Sequence, residues 1–158
     1  MRKPQLLRDH LADAFPEFNG RARDRLAVYV ENGRVRARPA PGTSTGVASF
    51  EWAYRLEAVL LDFKGDANTV LALVLDWLRI HQPELLLSHE GSPIELQADI
   101  IDDERIDLQL SLELSEAVRR TEDGFEYLPE PAIDDSFEGI GDAVGLSGLV
   151  IGGEDLAS

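Results

Sequence analysis

The sequence predicts an α+β fold: a mostly antiparallel sheet, two principal helices and an extended C-terminal arm. Three observations carry that expectation. Residues 106–115 alternate without a break, with Ile106, Leu108, Leu110, Leu112 and Leu114 on one side and Asp107, Gln109, Ser111, Glu113 and Ser115 on the other. Period-two alternation of this kind marks a strand with one face buried. Residues 66–81 instead carry Val70, Leu71, Val74, Leu75 and Leu78 at helical spacing. From about 132 onward, glycine and acid recur with no period at all. The chain has 158 residues and a hydrophobic fraction of 44%, which suits a single domain with a sizeable core.

The elements follow in order. Residues 4–15 read as a helix, with Pro4 in the first turn, Leu7, Leu11 and Phe15 at four-residue spacing, and Pro16 as the stop. The stretch "RLAVYVENGRVRAR" predicts a β-hairpin turning at Asn32-Gly33, a pair suited to the positive φ angles of a type I′ turn. Pro39, Pro41, Gly42 and Gly46 make the next segment a loop. Residues 49–63 form a long strand with Phe50, Trp52, Tyr54, Leu56, Ala58 and Leu60 on one face. Val59, Leu61 and Phe63 make its second face apolar toward the end, so that end is expected to be covered on both sides. Residues 94–101 and 106–118 pair across "DDER", and a short strand over 125–128 follows. Residues 1–131 are expected to form the folded domain, and 132–158 the acidic arm.

Charge narrows the function. The net charge is −15. Residues 1–50 carry 9 basic and 5 acidic side chains, residues 51–120 carry 6 and 15, and residues 121–158 carry 0 and 10. Phosphate backbones repel so acidic a chain, which argues against tight DNA binding. The gradient either keeps the protein soluble or lets the basic first third of one subunit meet the acidic last third of another. The chain has no cysteine, which removes disulfides and thiolate sites and is compatible with folding in a reducing cytoplasm. The start lacks the apolar core of a signal peptide, and no apolar run approaches the roughly 20 residues that span a bilayer.

The chemical motifs are weak. Asp62, Lys64 and Asp66 have ligand-like spacing, but Ala, Asn, Thr, Val and Leu follow where a calcium loop needs oxygen donors. Gly65 as a turn and Asp66 as a helix cap account for the same residues. His10, His81 and His89 include no pair at the spacing of a helical zinc site. Gly139, Gly141 and Gly145 miss the dinucleotide fingerprint by one place. No catalytic, cofactor or metal residues are nominated.

Helix 66–81 is the anomaly. Ala72, Leu73, Trp77 and Ile80 fill much of the face opposite its main stripe, and a helix apolar nearly all round must be buried nearly all round. Either the first helix and the arm cover that surplus, or another subunit does. The residues nominated for contact between subunits are Leu73, Trp77 and Ile80 here, the strand row Arg34, Arg36 and Arg38, and the terminal patch Leu149, Val150 and Ile151. The arginine row is open to two readings, an anion site or a solvated edge that discourages unwanted pairing.

Five segments taken together resemble the tail completion protein R family of peduovirus-like, contractile-tailed phages and of related headless tailocin particles. They are "LRDHLADAF", "LAVYVENGRV", the run from "SFEWAYRLEAVLLDFKGDANTV" to "QPELL", "EGSPIELQADIIDDERIDLQLSLELSEAV" and "EDGFEYLPEP". The resemblance spans about residues 5–131, and the arm from about 132 departs from it. It implies a non-enzymatic structural protein with an α/β tail-terminator-like fold. Such a protein caps the tube and sheath as a ring, six-membered on a six-fold tail, and forms the head-docking end. The implied partners are copies of itself, tail tube and sheath proteins, and a head–tail connector or second tail completion protein. The implied locations are the host cytoplasm during assembly and then the virion tail. A small acidic dimeric chaperone that binds an unfolded segment of a secreted client shares the size, charge and surplus apolar surface, and is the alternative.

Overall fold

The protein is described from a computed structural model, over residues 1–39, 46–87 and 91–129. Its centre is one antiparallel sheet of five strands among the described residues: β1 (Leu26–Pro39), β2 (Val47–Phe63), β3 (Glu95–Ile100), β4 (Ile106–Thr121) and β5 (Gly124–Tyr127). The strand order is β1-β2-β4-β3, and β5 pairs with the far end of β4. Helices α1 (Lys3–Ala14) and α2 (Ala67–His81) lie on one face, and a single turn, α3 (Glu84–Leu87), follows α2. The α+β expectation is met. No described helix is long and apolar enough to cross a membrane.

The core forms where the alternating residues meet the helix stripes. Leu56, Ala58 and Leu60 of β2 and Leu108, Leu110, Leu112 and Leu114 of β4 are buried under Leu7 and Leu11 of α1 and Val70, Val74, Trp77 and Leu78 of α2. An aromatic cluster closes one end, with the Phe15 ring edge-on to Phe63 at 5.1 Å and Phe18 stacked on it at 6.0 Å. α1 begins with a proline in its first turn and stops before Pro16, where the ring fixes φ and removes a donor.

Two expectations about the strands are overturned, for one reason. The hairpin over 26–38 does not form. Asn32-Gly33 lies inside β1, which pairs along its whole length with β2, and the register slips by one residue between Glu31/Arg55 and Arg34/Ala53. Asn32 takes φ +53°, the conformation foreseen, but in a β-bulge rather than a turn. The bulge switches parity, so Val28, Val30, Val35 and Ala37 all point toward the helices. Asp62, at φ +54°, makes a second bulge between Leu60/Leu108 and Phe63/Ile106. It returns Phe63 to the core, fully buried, and leaves Leu61 41% exposed. The end of β2 is therefore not covered on both sides by this chain's described residues.

Candidate assembly surface

α2 starts as its sequence requires. The Asp66 carboxylate accepts a hydrogen bond from the Asn68 amide at 2.8 Å, satisfying a helix-end donor. A side chain at Gly65 would meet the Phe63 ring at 2.5 Å, so glycine is needed for close approach.

Among the nominated residues on α2, Trp77 is corrected. It is 3% exposed and part of the core, at positions i+3 from Val74 and i+7 from Val70. Its indole lies 4.5 Å from the His81 ring. Leu75, placed in the buried stripe from sequence, is instead exposed. Leu73 is half-buried, and its carbonyl is 3.1 Å from His10 Nε2 of α1. Ile80 is 62% exposed and stays on the candidate surface. α1 and the sheet thus absorb much of the helix's apolar surplus, and Ile80 and Leu75 are the remainder.

The arginine row sits on an outer strand. Arg34 and Arg36 are exposed on the face of β1 away from the helices, and Arg38 follows in the same register opposite Ser49. Leu149, Val150 and Ile151 and the whole arm lie outside the described residues.

β3 forms the other outer edge, and sequence reasoning missed its importance. All six of its residues are exposed. Leu96 and Ile100 point toward the helix side, but the helices do not reach them, and they are 49% and 81% exposed. The signal was an apolar alternation in 94–101 with no second amphipathic helix left to cover it.

The outer edge of β4 between β3 and β5 is closed by side chains. Lys3 Nζ donates to the Ser115 carbonyl at 2.6 Å and to Gln82 Oε1 at 2.5 Å, and Gln82 Oε1 also accepts from the Ser115 amide at 3.2 Å. Beside them Glu116, 3% exposed, accepts from the Arg2 and Lys3 amides at 2.7 and 3.2 Å and from the Tyr54 hydroxyl at 2.5 Å. A carboxylate thus caps the N-terminus of α1 and pins it to the sheet, in keeping with the helix dipole.

The face without helices is polar but ordered. Glu57, 2% exposed, accepts from Gln109 at 2.7 Å, Ser111 at 2.8 Å and Arg55 at 2.9 Å. Burial alone would raise its carboxyl. The hydrogen bonds from Gln109, Ser111 and Arg55 and the positive charge of Arg55 outweigh burial and hold it below the usual range. Arg55 reaches on to Glu95 of β3 at 2.7 Å and Glu113 at 3.3 Å, tying three strands together. Asp62 of the second bulge is held by Arg25 at 3.0 Å and Arg105 at 3.1 Å. Each of these acids is engaged by partners within the chain.

The family model for the P2 phage tail completion protein R (GpR) matches residues 1–131. The chain is 35% identical over 118 residues to the tail completion protein R of Escherichia phage P2, covering 73% of this chain and 72% of that one. No solved structure matches.

Proposed function

Since the chain belongs to the P2 phage tail completion protein R family, we propose that it is a structural, non-enzymatic subunit that completes a phage tail. The family match over residues 1–131 is the observation that carries this reading. The particle is a contractile phage or a headless tail-like relative. Copies form a ring, six on a six-fold tail, at the head-proximal end. One face of the ring meets tube and sheath, and the other meets a head connector or a second tail completion protein. The subunit assembles in the host cytoplasm and ends in the virion tail. Residues 1–131 build the ring, and the arm from 132 extends from it.

The fold supports the proposal in three ways. The sheet ends in two outer edges, the surplus apolar residues Ile80, Leu96 and Ile100 are exposed, and the buried acids are already held by partners within the chain. Head-to-tail contacts between unlike surfaces close into rings when the rotation permits. An acidic ring opening would repel DNA in transit rather than grip it.

Electron microscopy of particles made without this chain tests the function. Overlong or headless tails, restored to normal by supplying the chain in trans, are the expected result. Normal tails with heads attached would refute it and bring the chaperone alternative forward.

A further inference from the structure

We propose that neighbouring copies join by backbone pairing of β3 of one copy with β1 of the next, so that the sheet runs on from subunit to subunit. This rests on the ring reading above and specifies how the ring is closed.

Four observations lead there. First, among the described residues no strand pairs with the outer edge of β1 or of β3, and such edges are templates for another chain. Second, β1, β2, β4 and β3 alternate in direction. A copy displaced sideways, without being turned over, therefore offers β1 antiparallel to β3, the same relation found throughout the sheet. Third, the lengths and heights match. β1 below its bulge is Leu26–Glu31, and β3 is Glu95–Ile100. Ala27, Val59, Gln109 and Gln97 lie in one row across the sheet, so the two segments lie at nearly the same height.

Fourth, the charges are complementary. On the face without helices, β1 presents exposed Glu31 before its bulge and exposed Arg34 and Arg36 beyond it, with exposed Arg21 and Arg23 just before the strand. β3 presents exposed Asp99 on that same face together with Glu95, which pairs with Arg55 of its own chain, and Asp102 and Asp103 follow just after the strand. Pairing β3 with β3 would set carboxylates against carboxylates, and pairing β1 with β1 would leave β3 open. Like charges across strands are unfavourable, so only the head-to-tail arrangement uses both edges. It also covers the apolar remainder: the neighbour's α1, which lies over its β1, comes up beside Leu96 and Ile100. The negative charge gradient along the chain becomes, in three dimensions, a basic edge and an acidic edge.

The chain has no cysteine, so introduced pairs report without background. Particles carrying the full-length Ala27→Cys/Gln97→Cys double variant, with normal tails under reducing conditions, are oxidised and run on a non-reducing gel. Tyr29→Cys/Gln97→Cys is run beside it to cover a two-residue slide in register. A ladder of covalent oligomers from a double variant, with none from the single variants, is the expected result. Dimers from a single variant would show same-edge pairing and overturn the proposal. The copy number per particle, measured in the same samples, separates the two levels of inference. Several copies without a ladder refute the edge pairing and leave the ring. One copy per particle refutes the ring and the pairing with it.

Discussion

Replacing Glu116 with alanine strikes the contact that joins α1 to the sheet. Its carboxylate accepts three hydrogen bonds, from the Arg2 amide, the Lys3 amide and the Tyr54 hydroxyl, and the side chain is 3% exposed. Loss of a helix-capping acceptor costs about 1 kcal/mol. Losing the hydrogen bond from the Tyr54 hydroxyl costs about 1 kcal/mol more. Relief from burying a carboxylate offsets part of this, so the net loss is about 1–2 kcal/mol. With a urea slope of about 2 kcal/mol/M, the unfolding midpoint falls by about 0.5–1 M. Urea unfolding followed by tryptophan fluorescence reads the shift directly. Glu116→Gln, which keeps an acceptor oxygen, should lose about 1 kcal/mol. Tyr54→Phe combined with Glu116→Ala should lose less than the two singles summed, because they share one bond. A loss below about 0.5 kcal/mol for Glu116→Ala, the level of an ordinary surface change, would refute the capping role.

Other substitutions separate fold from assembly. Trp77→Ala should cost about 3–5 kcal/mol in the isolated protein as a core truncation. Ile80→Glu should change its stability by no more than about 0.5 kcal/mol yet lower incorporation into particles; a destabilised Ile80→Glu would place Ile80 in the core. Asn32→Val should cost about 1–2 kcal/mol through the left-handed conformation, with Asn32→Gly nearly neutral, and equal thermal midpoints for the two would contradict the bulge. On the acid side, Glu57 is held low in the folded state. Its contribution is full above the unfolded value of about 4.3 and is lost as pH falls through the lower folded value, a slope that Glu57→Gln should flatten. His81 is also held low, first by burial and then by the charges of Lys3, Arg2 and His10. The unfolded chain thus takes up that proton first, and stability declines as pH falls below about 6.5; an unchanged profile in His81→Gln would contradict this.

Legibility in the sequence followed the physics. The run from Ile106 to Ser115 was readable because period two leaves no other face to bury. Asp66 was readable because a cap is a local interaction between neighbours. Parity switches were visible at Val30 to Val35 and at Leu60 to Phe63, but a bulge and a turn leave the same trace, and only the partner strand decides between them. Trp77 was misplaced because an apolar-all-round helix carries no signal about its rotation. Glu116 fell in the inward register of β4 from the start. Its reason, the amide ends of α1, lies more than a hundred residues away in the chain. The exposed edge of β3 was likewise hidden, since which strand ends a sheet is a property of topology and not of the strand.

The most direct test of the central claim is a cryo-electron microscopy reconstruction of the head-proximal end of the tail. The account predicts a closed ring of this chain at that end, with the sheet of each copy continuing into the next through β3 and β1. Finding the chain elsewhere on the particle, or as a single copy, would contradict it.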